Sequence, residues 1–269
     1  LHLGHAFAAL TAARAAEGER FLVRIEDLDR TRARPEYERA LLEDLAWLGL
    51  SWQQPVLRQS ERTAAYRAAI GTLEQRGLLY PCFCTRREVA EELRGAAEAP
   101  QAAPAVYPGT CRTLSEHDRR ARRESGASFA LRLDVARAVG QVGALSFTET
   151  GSGPEGERGA IAVDVQRGGD VVLARKELPA AYHLAVVLDD AFQGVTLVTR
   201  GWDLFSATHV QRLLQALLGL PTPRYAHHRL LLDAQGRKFS KREHALTLRA
   251  LRAEGIEAAE VRRRVEQWV

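Results

Sequence analysis

Four short stretches of this chain hold residues whose types and spacing can do chemistry. His2-Leu3-Gly4-His5 opens an Ala- and Leu-rich segment, residues 6 to 17, with good helix propensity. Free N–H groups and the dipole at a helix N-terminus favour an anion. Two imidazoles there can donate hydrogen bonds to phosphate oxygens, while Gly4 lets a flat ring approach the backbone. The same pair can also be a plain structural turn. Near the other end, Lys238-Phe239-Ser240-Lys241-Arg242 follows Leu230 to Gly236, which has the pattern of a strand and a turn. Only Lys176, Lys238 and Lys241 are lysine among 38 basic residues. Where a compact ammonium persists against such a bias, a role that Arg cannot fill is implied, and two ammonium groups on one loop suit a triphosphate whose charge shifts during attack. A solvated basic turn is the bland alternative.

Arg24-Ile25-Glu26-Asp27-Leu28-Asp29-Arg30 follows a β-branched, aromatic run, Phe21 to Ile25, and so falls at the carboxyl end of a strand, where open parallel sheets bind ligands. A carboxylate there can pair with an α-ammonium group. Cys82, Cys84 and Cys111 are all the cysteines of the chain. Three thiolates and a fourth donor satisfy tetrahedral zinc in a closed, structural site. His117 and Tyr107 both stand close enough in sequence to be that donor, and three buried thiols without metal are the alternative.

The elements that must position these groups alternate. Helices are expected over 6–17, 35–48, 61–75, 181–192 and 206–218, four of them closed by Gly18, Gly49, Gly77 and Gly219. Strands are expected over 21–25 and 195–199, giving the βα alternation of a parallel sheet. Between about 80 and 125 the composition changes to cysteine, proline and dense Arg, which reads as an insertion. Antiparallel strands are expected within 129–135, 160–165 and 170–174. The expected division is a catalytic α/β domain over 1–78 and 178–224, an inserted subdomain over 79–177 and a C-terminal part over 225–269. With 269 residues, 46% of them hydrophobic, the chain can bury a proper core, so disordered and fibrous classes are excluded. A net charge of +4 permits a polyanionic partner without requiring one. No apolar run long enough for a transmembrane helix and no secretory leader is expected, which makes the cytoplasm the default. The opening residues already read as a functional turn and no Met is present, so a first strand is expected to lie upstream.

HLGH, RIEDLDR and KFSKR in this order resemble the class I glutamyl-tRNA synthetases, whose signatures are usually written HIGH and KMSKS. The similarity continues through Trp47-Leu48-Gly49-Leu50, Gln59-Ser60-Glu61-Arg62, Tyr182 to Asp190 and Thr199-Arg200-Gly201, nearly the whole chain. The second and fifth positions of KFSKR depart from the family pattern and leave both lysines in place. The resemblance implies an α/β fold: a Rossmann-type parallel sheet split by an inserted, zinc-containing, acceptor-binding subdomain, with a short helical part at the end.

By the same resemblance, His2 and His5 contact ATP phosphates, Gly4 and the backbone around Leu230 and Leu231 frame the adenine, and Lys238 and Lys241 stabilise the transition state. Glu26 receives the glutamate amino group, and Tyr182 and Arg200 line that pocket, Arg200 being suited to a bidentate grip on a carboxylate. A short branch of the family resembles the catalytic half alone and attaches glutamate to queuosine in the anticodon of tRNA(Asp). Its metal pattern is similar to Cys82, Cys84, Tyr107 and Cys111, implying one structural zinc per chain. Leu204 after Trp202-Asp203, and the end of the chain about 27 residues beyond Arg242, also favour that branch. The expected substrates are Mg-ATP, glutamate and queuosine-bearing tRNA(Asp), and the expected state is a monomer. The competing readings are a fragment of an enzyme that charges tRNA(Glu), a silent tRNA-binding module and a nucleotidyltransferase with another substrate.

Overall fold

Glycine and proline set the helix boundaries much as the sequence predicts. The computed structural model describes the chain apart from residues 17, 30, 32, 86, 90–106, 166–168, 232–246, 268 and 269. Helix α1 (Leu3–Ala15) leads to strand β1 (Arg24–Ile25). Helix α2 (Pro35–Trp47) carries Pro at its start and Glu36 and Glu38 in its first turn, residues that suit an N-terminus in conformation and charge. Strand β2 (Leu57–Arg58) pairs parallel with β1, and a 3-10 turn over Gln59–Arg62 opens into α3 (Thr63–Gln75).

Strand β3 (Leu79–Cys82), helix α4 (Glu116–Glu124), strand β4 (Ala130–Leu133) and the short helix α5 (Val135–Val139) follow. Strands β5 (Ser146–Glu149), β6 (Gly159–Ala162) and β7 (Val172–Arg175) complete this part. The chain then alternates through α6 (Tyr182–Gln193), β8 (Leu197–Gly201), α7 (Phe205–Leu218) and β9 (Arg224–His228), and ends in α8 (Leu248–Ala253) and α9 (Ala258–Glu266). Helices α6 and α7 stop at Gly194 and Gly219, with φ of 66° and 64°, a left-handed cap that glycine adopts without steric cost.

Two larger sheets organise these strands. An antiparallel sheet has the order β3-β4-β7, and a mixed sheet the order β6-β5-β9-β8, in which β9 runs parallel to both β5 and β8. The antiparallel strands expected from the sequence are therefore present, but β6 and the unforeseen β5 hydrogen-bond into the sheet of β8 and β9. One apolar core joins the antiparallel sheet to the helices, with Leu73, Leu133, Leu173, Leu184, Leu213 and Leu214 buried together, so α3, β4, β7, α6 and α7 share an interior. Phe147, Phe205 and Tyr225 form a smaller cluster at β5 and β9. A second core under α1 joins Phe7, Leu48, Leu231, Leu248, Leu251 and Val261. Among the described residues no helix is long and apolar enough to cross a membrane.

Candidate active site

The HLGH turn is built by its own imidazoles. His2 Nδ1 accepts from the Gly4 N–H at 3.1 Å, and His5 Nδ1 accepts from the His2 N–H at 3.2 Å, a reciprocal cap of the kind usually made by Ser and Glu. Since both Nδ1 atoms act as acceptors, the neutral rings carry their protons on Nε2, the donor that a phosphate oxygen needs. The ring centroids are 3.7 Å apart. His2 also bridges Thr247 in antiparallel fashion, and Leu248 N–H donates to Leu1 O at 2.9 Å. Leu231 is buried against the core beneath α1, and a Cβ on Gly201 would stand 2.5 Å from Leu230 Cδ2, so Leu230 packs on the carboxyl end of β8. Lys238 and Lys241 lie outside the described residues.

The second group gathers at the ends of β1, α6 and β8. Arg24 reaches from β1 to α6, where Asp190 Oδ1 accepts from it at 2.7 Å and Gln193 Oε1 at 3.1 Å. Glu26 lies 3.8 Å from the same guanidinium. Desolvation raises the pKa of Glu26, Arg24 opposes the shift, and Asp190 and Asp189 add to it. Asp190 is also shifted upward, by burial against the pull of Arg24, and it feels the charge of Arg200. Asp189 beside it is structural: fully buried, it accepts from Gln59 at 3.0 Å, Arg62 at 3.1 Å and the Tyr66 hydroxyl at 2.7 Å. Asp27 caps the turn before α3 through the N–H and hydroxyl of Ser60, at 2.8 and 2.6 Å.

Tyr182 opens α6, which no side chain caps, and it is partly exposed. Its neighbour His183 has a pKa pushed down to about 4 by burial and the charge of Arg200, and so is neutral at physiological pH. Arg200 itself is buried on β8, donating to His227 Nε2 at 3.2 Å, Gln211 Oε1 at 2.7 Å and Thr208 Oγ1 at 2.5 Å. The electrostatics thus link Glu26, Asp190, Arg200 and His183, whereas the sequence assigned no role to His183, His227, Thr208 or Gln211. The detectable signal was the alternation in Tyr225-Ala226-His227, which places Tyr225 and His227 on one face of a strand.

The cysteines converge. The sulfurs of Cys82, Cys84 and Cys111 lie within 4.8 Å of one another, Cys84 and Cys111 being 3.4 Å apart. Tyr107 Oη lies 3.3 Å from Cys82 Sγ and 3.7 Å from Cys84 Sγ. His117 stands on α4, exposed and outside the cluster, whereas the Tyr107 oxygen lies beside the sulfurs. Burial pushes the Cys84 thiol up to about 12, while that of Cys82 is lowered against burial by hydrogen bonds from Tyr107 and Arg132. A divalent cation would favour the thiolate form of all three by its own charge. The donor set therefore fits a closed tetrahedral ion such as zinc. Arg132 lies over the Tyr107 ring at 3.7 Å. Asp170 anchors this region to the sheet by accepting from the Tyr80 hydroxyl at 2.6 Å and from Arg112 at 3.0 Å.

A cleft of about 1400 Å³ opens between α3 and the β3-β4-β7 sheet. Its walls include Asp29, Ser60, Arg67, Arg132, Arg175 and Lys176. It adjoins the Glu26 loop, and it is not lined by Glu26, Tyr182 or Arg200.

Glu26 follows the parallel pair β1-β2, Arg200 lies on β8 of a mixed sheet in which β5, β9 and β8 run parallel, and beside them stands a helix N-terminus capped by two imidazoles: the site of an α/β protein in which carboxylates and guanidinium groups face one another. Residues 1–264 match the family of tRNA synthetases class I (E and Q), catalytic domain. The chain belongs to that family. It is 50% identical to the glutamyl-Q tRNA(Asp) synthetase of Rhodobacter capsulatus, over 98% of this chain and 94% of that one. The glutamate–tRNA ligase of Aquifex aeolicus is 37% identical, over 95% of this chain and 52% of the relative. Among solved structures, the glutamate–tRNA synthetase of Elizabethkingia anophelis superposes with a TM-score of 0.71 at 26% identity, over 90% of this chain and 50% of that one. The expected α/β synthetase fold is thereby borne out.

Proposed function

We propose that this chain activates glutamate with Mg-ATP to glutamyl-adenylate and transfers the glutamyl group to queuosine in the anticodon of tRNA(Asp). The observation that carries this reading is the 50% identity, across almost the full length of both chains, to a glutamyl-Q tRNA(Asp) synthetase; the charging enzyme of Aquifex aeolicus stands at 37%.

In this reading an oxygen of the glutamate α-carboxylate attacks the α-phosphorus in line and pyrophosphate leaves. A hydroxyl of the queuosine ring then attacks the activated carbonyl and AMP leaves. No protein nucleophile is needed, so catalysis is by positioning and charge stabilisation. His2 and His5 hold the phosphates, Gly4 and the backbone at Leu230 and Leu231 frame the adenine, and Lys238 and Lys241 follow the charge to the leaving pyrophosphate. Glu26 pairs with the substrate ammonium, and Tyr182 and Arg200 line the pocket, Arg200 gripping a carboxylate. The cleft, walled by Arg67, Arg132, Arg175 and Lys176 with Asp29, Glu74 and Glu177 among them, offers basic groups that RNA phosphates can contact.

Cys82, Cys84, Tyr107 and Cys111 would hold one zinc, whose contribution is to fix the fold of the insertion and not to react. In this reading nucleotide chemistry falls to 1–78 with 178–224, RNA contact to 79–177 and the KFSKR segment to 225–269, while β5 and β6 of the second stretch and β9 at the start of the third join the sheet of β8. The protein works as a cytoplasmic monomer. Glutamate-dependent exchange of labelled pyrophosphate into ATP, measured without tRNA, tests the first step. Exchange with glutamate alone among the amino acids is expected, and its absence overturns the reading in favour of a silent binding module.

A further inference from the structure

We propose that His227, held by Glu149, is a positioning residue that aims Arg200 at the glutamate carboxylate, with Thr208 completing the clamp. The proposal rests on the reading of Arg200 as a glutamate ligand and adds the groups that hold it in place.

The argument begins with a buried carboxylate. Glu149 ends β5 with its side chain fully buried, an arrangement that is costly unless every lone pair finds a donor. Three donors converge on it: the His227 ring from Nδ1 at 2.6 Å, the His227 N–H at 2.9 Å and the Gly151 N–H at 2.8 Å. Burial raises the Glu149 pKa, but the hydrogen bonds from the His227 ring, the His227 N–H and the Gly151 N–H bring it below the usual carboxylate range. Gly151 is required for this approach, since a Cβ there would stand 2.5 Å from His227 O and 3.0 Å from Glu149 Oε1.

An ionised Glu149 accepts, so the imidazole must carry its proton on Nδ1. Its Nε2 is then a lone pair, and it faces the Nε–H of Arg200 at 3.2 Å. In the other tautomer two donors would oppose each other. Gln211 and Thr208, both on α7, accept from Nη1 and Nη2. A guanidinium has five N–H groups; with one used at each nitrogen, Nη1 and Nη2 each retain one that a carboxylate can take. Glu149, on the neighbouring strand, thus fixes through one imidazole which edge of Arg200 is committed and which is left for substrate.

The test is the Michaelis constant for glutamate in pyrophosphate exchange, with that for ATP as the internal control. His227→Gln puts an amide oxygen where Nε2 stood and keeps the acceptor for Arg200. His227→Asn puts an amide nitrogen where Nδ1 stood and keeps the donor to Glu149. His227→Asn should raise the glutamate KM by about tenfold or more, the order expected when a charged group loses a buried hydrogen bond, with the ATP KM unchanged. His227→Gln should stay within about threefold of the parent for glutamate. The reverse order, with Asn tolerated and Gln not, would mean that the imidazole serves only to neutralise Glu149, and the proposal fails. Thr208→Val removes the Nη2 acceptor at constant volume and should also raise the glutamate KM selectively. It decides the matter if both His227 variants melt below the assay temperature, an unchanged KM then contradicting the clamp. Arg200→Gln separates the two layers of the argument. If it leaves the glutamate KM unchanged, the assignment of Arg200 is wrong; if it loses glutamate while His227→Asn and Thr208→Val do not, only the clamp is wrong.

Discussion

His2 pairs with Thr247 across an antiparallel bridge, so the chain returns to the imidazole turn directly after residues 232–246. Leu231, at the other end of that stretch, is buried in the core beneath α1. The described residues on either side of that stretch, Leu231 and Thr247, thus both lie against the element that carries His2 and His5, as the proposed joint action of HLGH and KFSKR on one triphosphate requires.

The first expected outcome concerns those lysines. Lys241→Ala should slow adenylate formation by about 10² or more, the loss typical of removing one transition-state donor, with little change in glutamate affinity. Single-turnover formation of adenylate at saturating ATP is the measurement. A parent-like rate in that variant would remove Lys241 from the mechanism.

Glu26 gives a dependence on pH. Its folded pKa is raised, by desolvation first, against the pull of Arg24 and together with Asp190 and Asp189. A raised carboxylate pKa means that the charged form is disfavoured in the free protein, so this group stabilises the fold at low pH and loses that contribution as pH rises through its folded pKa. Pairing with a substrate ammonium needs the charged form. Glutamate binding should therefore weaken as pH falls, starting above the usual carboxylate range, and Glu26→Gln should show weak binding without that acid limb. An identical acid limb in Glu26→Gln and parent would assign the titration elsewhere.

Asp189 should matter to stability more than to chemistry. It is fully buried with Gln59, Arg62 and Tyr66 upon it, and removing one partner of a buried ionic network leaves the others unsatisfied. Asp189→Ala should cost about 3 kcal/mol or more in urea unfolding. A loss below about 1 kcal/mol would show that the cluster relaxes or hydrates.

Protein purified without chelator should contain about one zinc per chain, measured by elemental analysis. Cys111→Ser should lower that content and loosen the insertion, seen as faster proteolysis between β3 and β4, before it harms ATP binding. Metal below roughly a tenth of an equivalent would contradict the site.

The helices were legible because their apolar spacing and glycine stops are local properties: α2, α6 and α7 begin and end within about two residues of expectation. The central strands were harder. Strand β9, Arg-Tyr-Ala-His-His, has no β-branched residue and β5, Ser-Phe-Thr-Glu, has one, short of the density that marks a buried strand. Two of their buried positions are His227 and Glu149, beside Phe147 and Tyr225, and these polar groups are tolerable in a core because they satisfy each other and find partners in Gly151 and Arg200. That pairing is made across 78 residues, and no local pattern reveals it. The expected strand over 21–25 shortens to Arg24–Ile25, the only residues that find a partner in β2. Cys82, Cys84, Tyr107 and Cys111 were legible as a set, because the resemblance supplied the tyrosine that spacing alone left open against His117.

The central claim is the acceptor. Enzyme, ATP and labelled glutamate should be incubated with queuosine-containing tRNA(Asp), with the same tRNA lacking queuosine, and with tRNA(Glu), and the label on RNA followed after acid precipitation. Label confined to the queuosine-containing tRNA(Asp) is the predicted result. Label on tRNA(Glu) alone would contradict the account and assign the chain to charging chemistry instead.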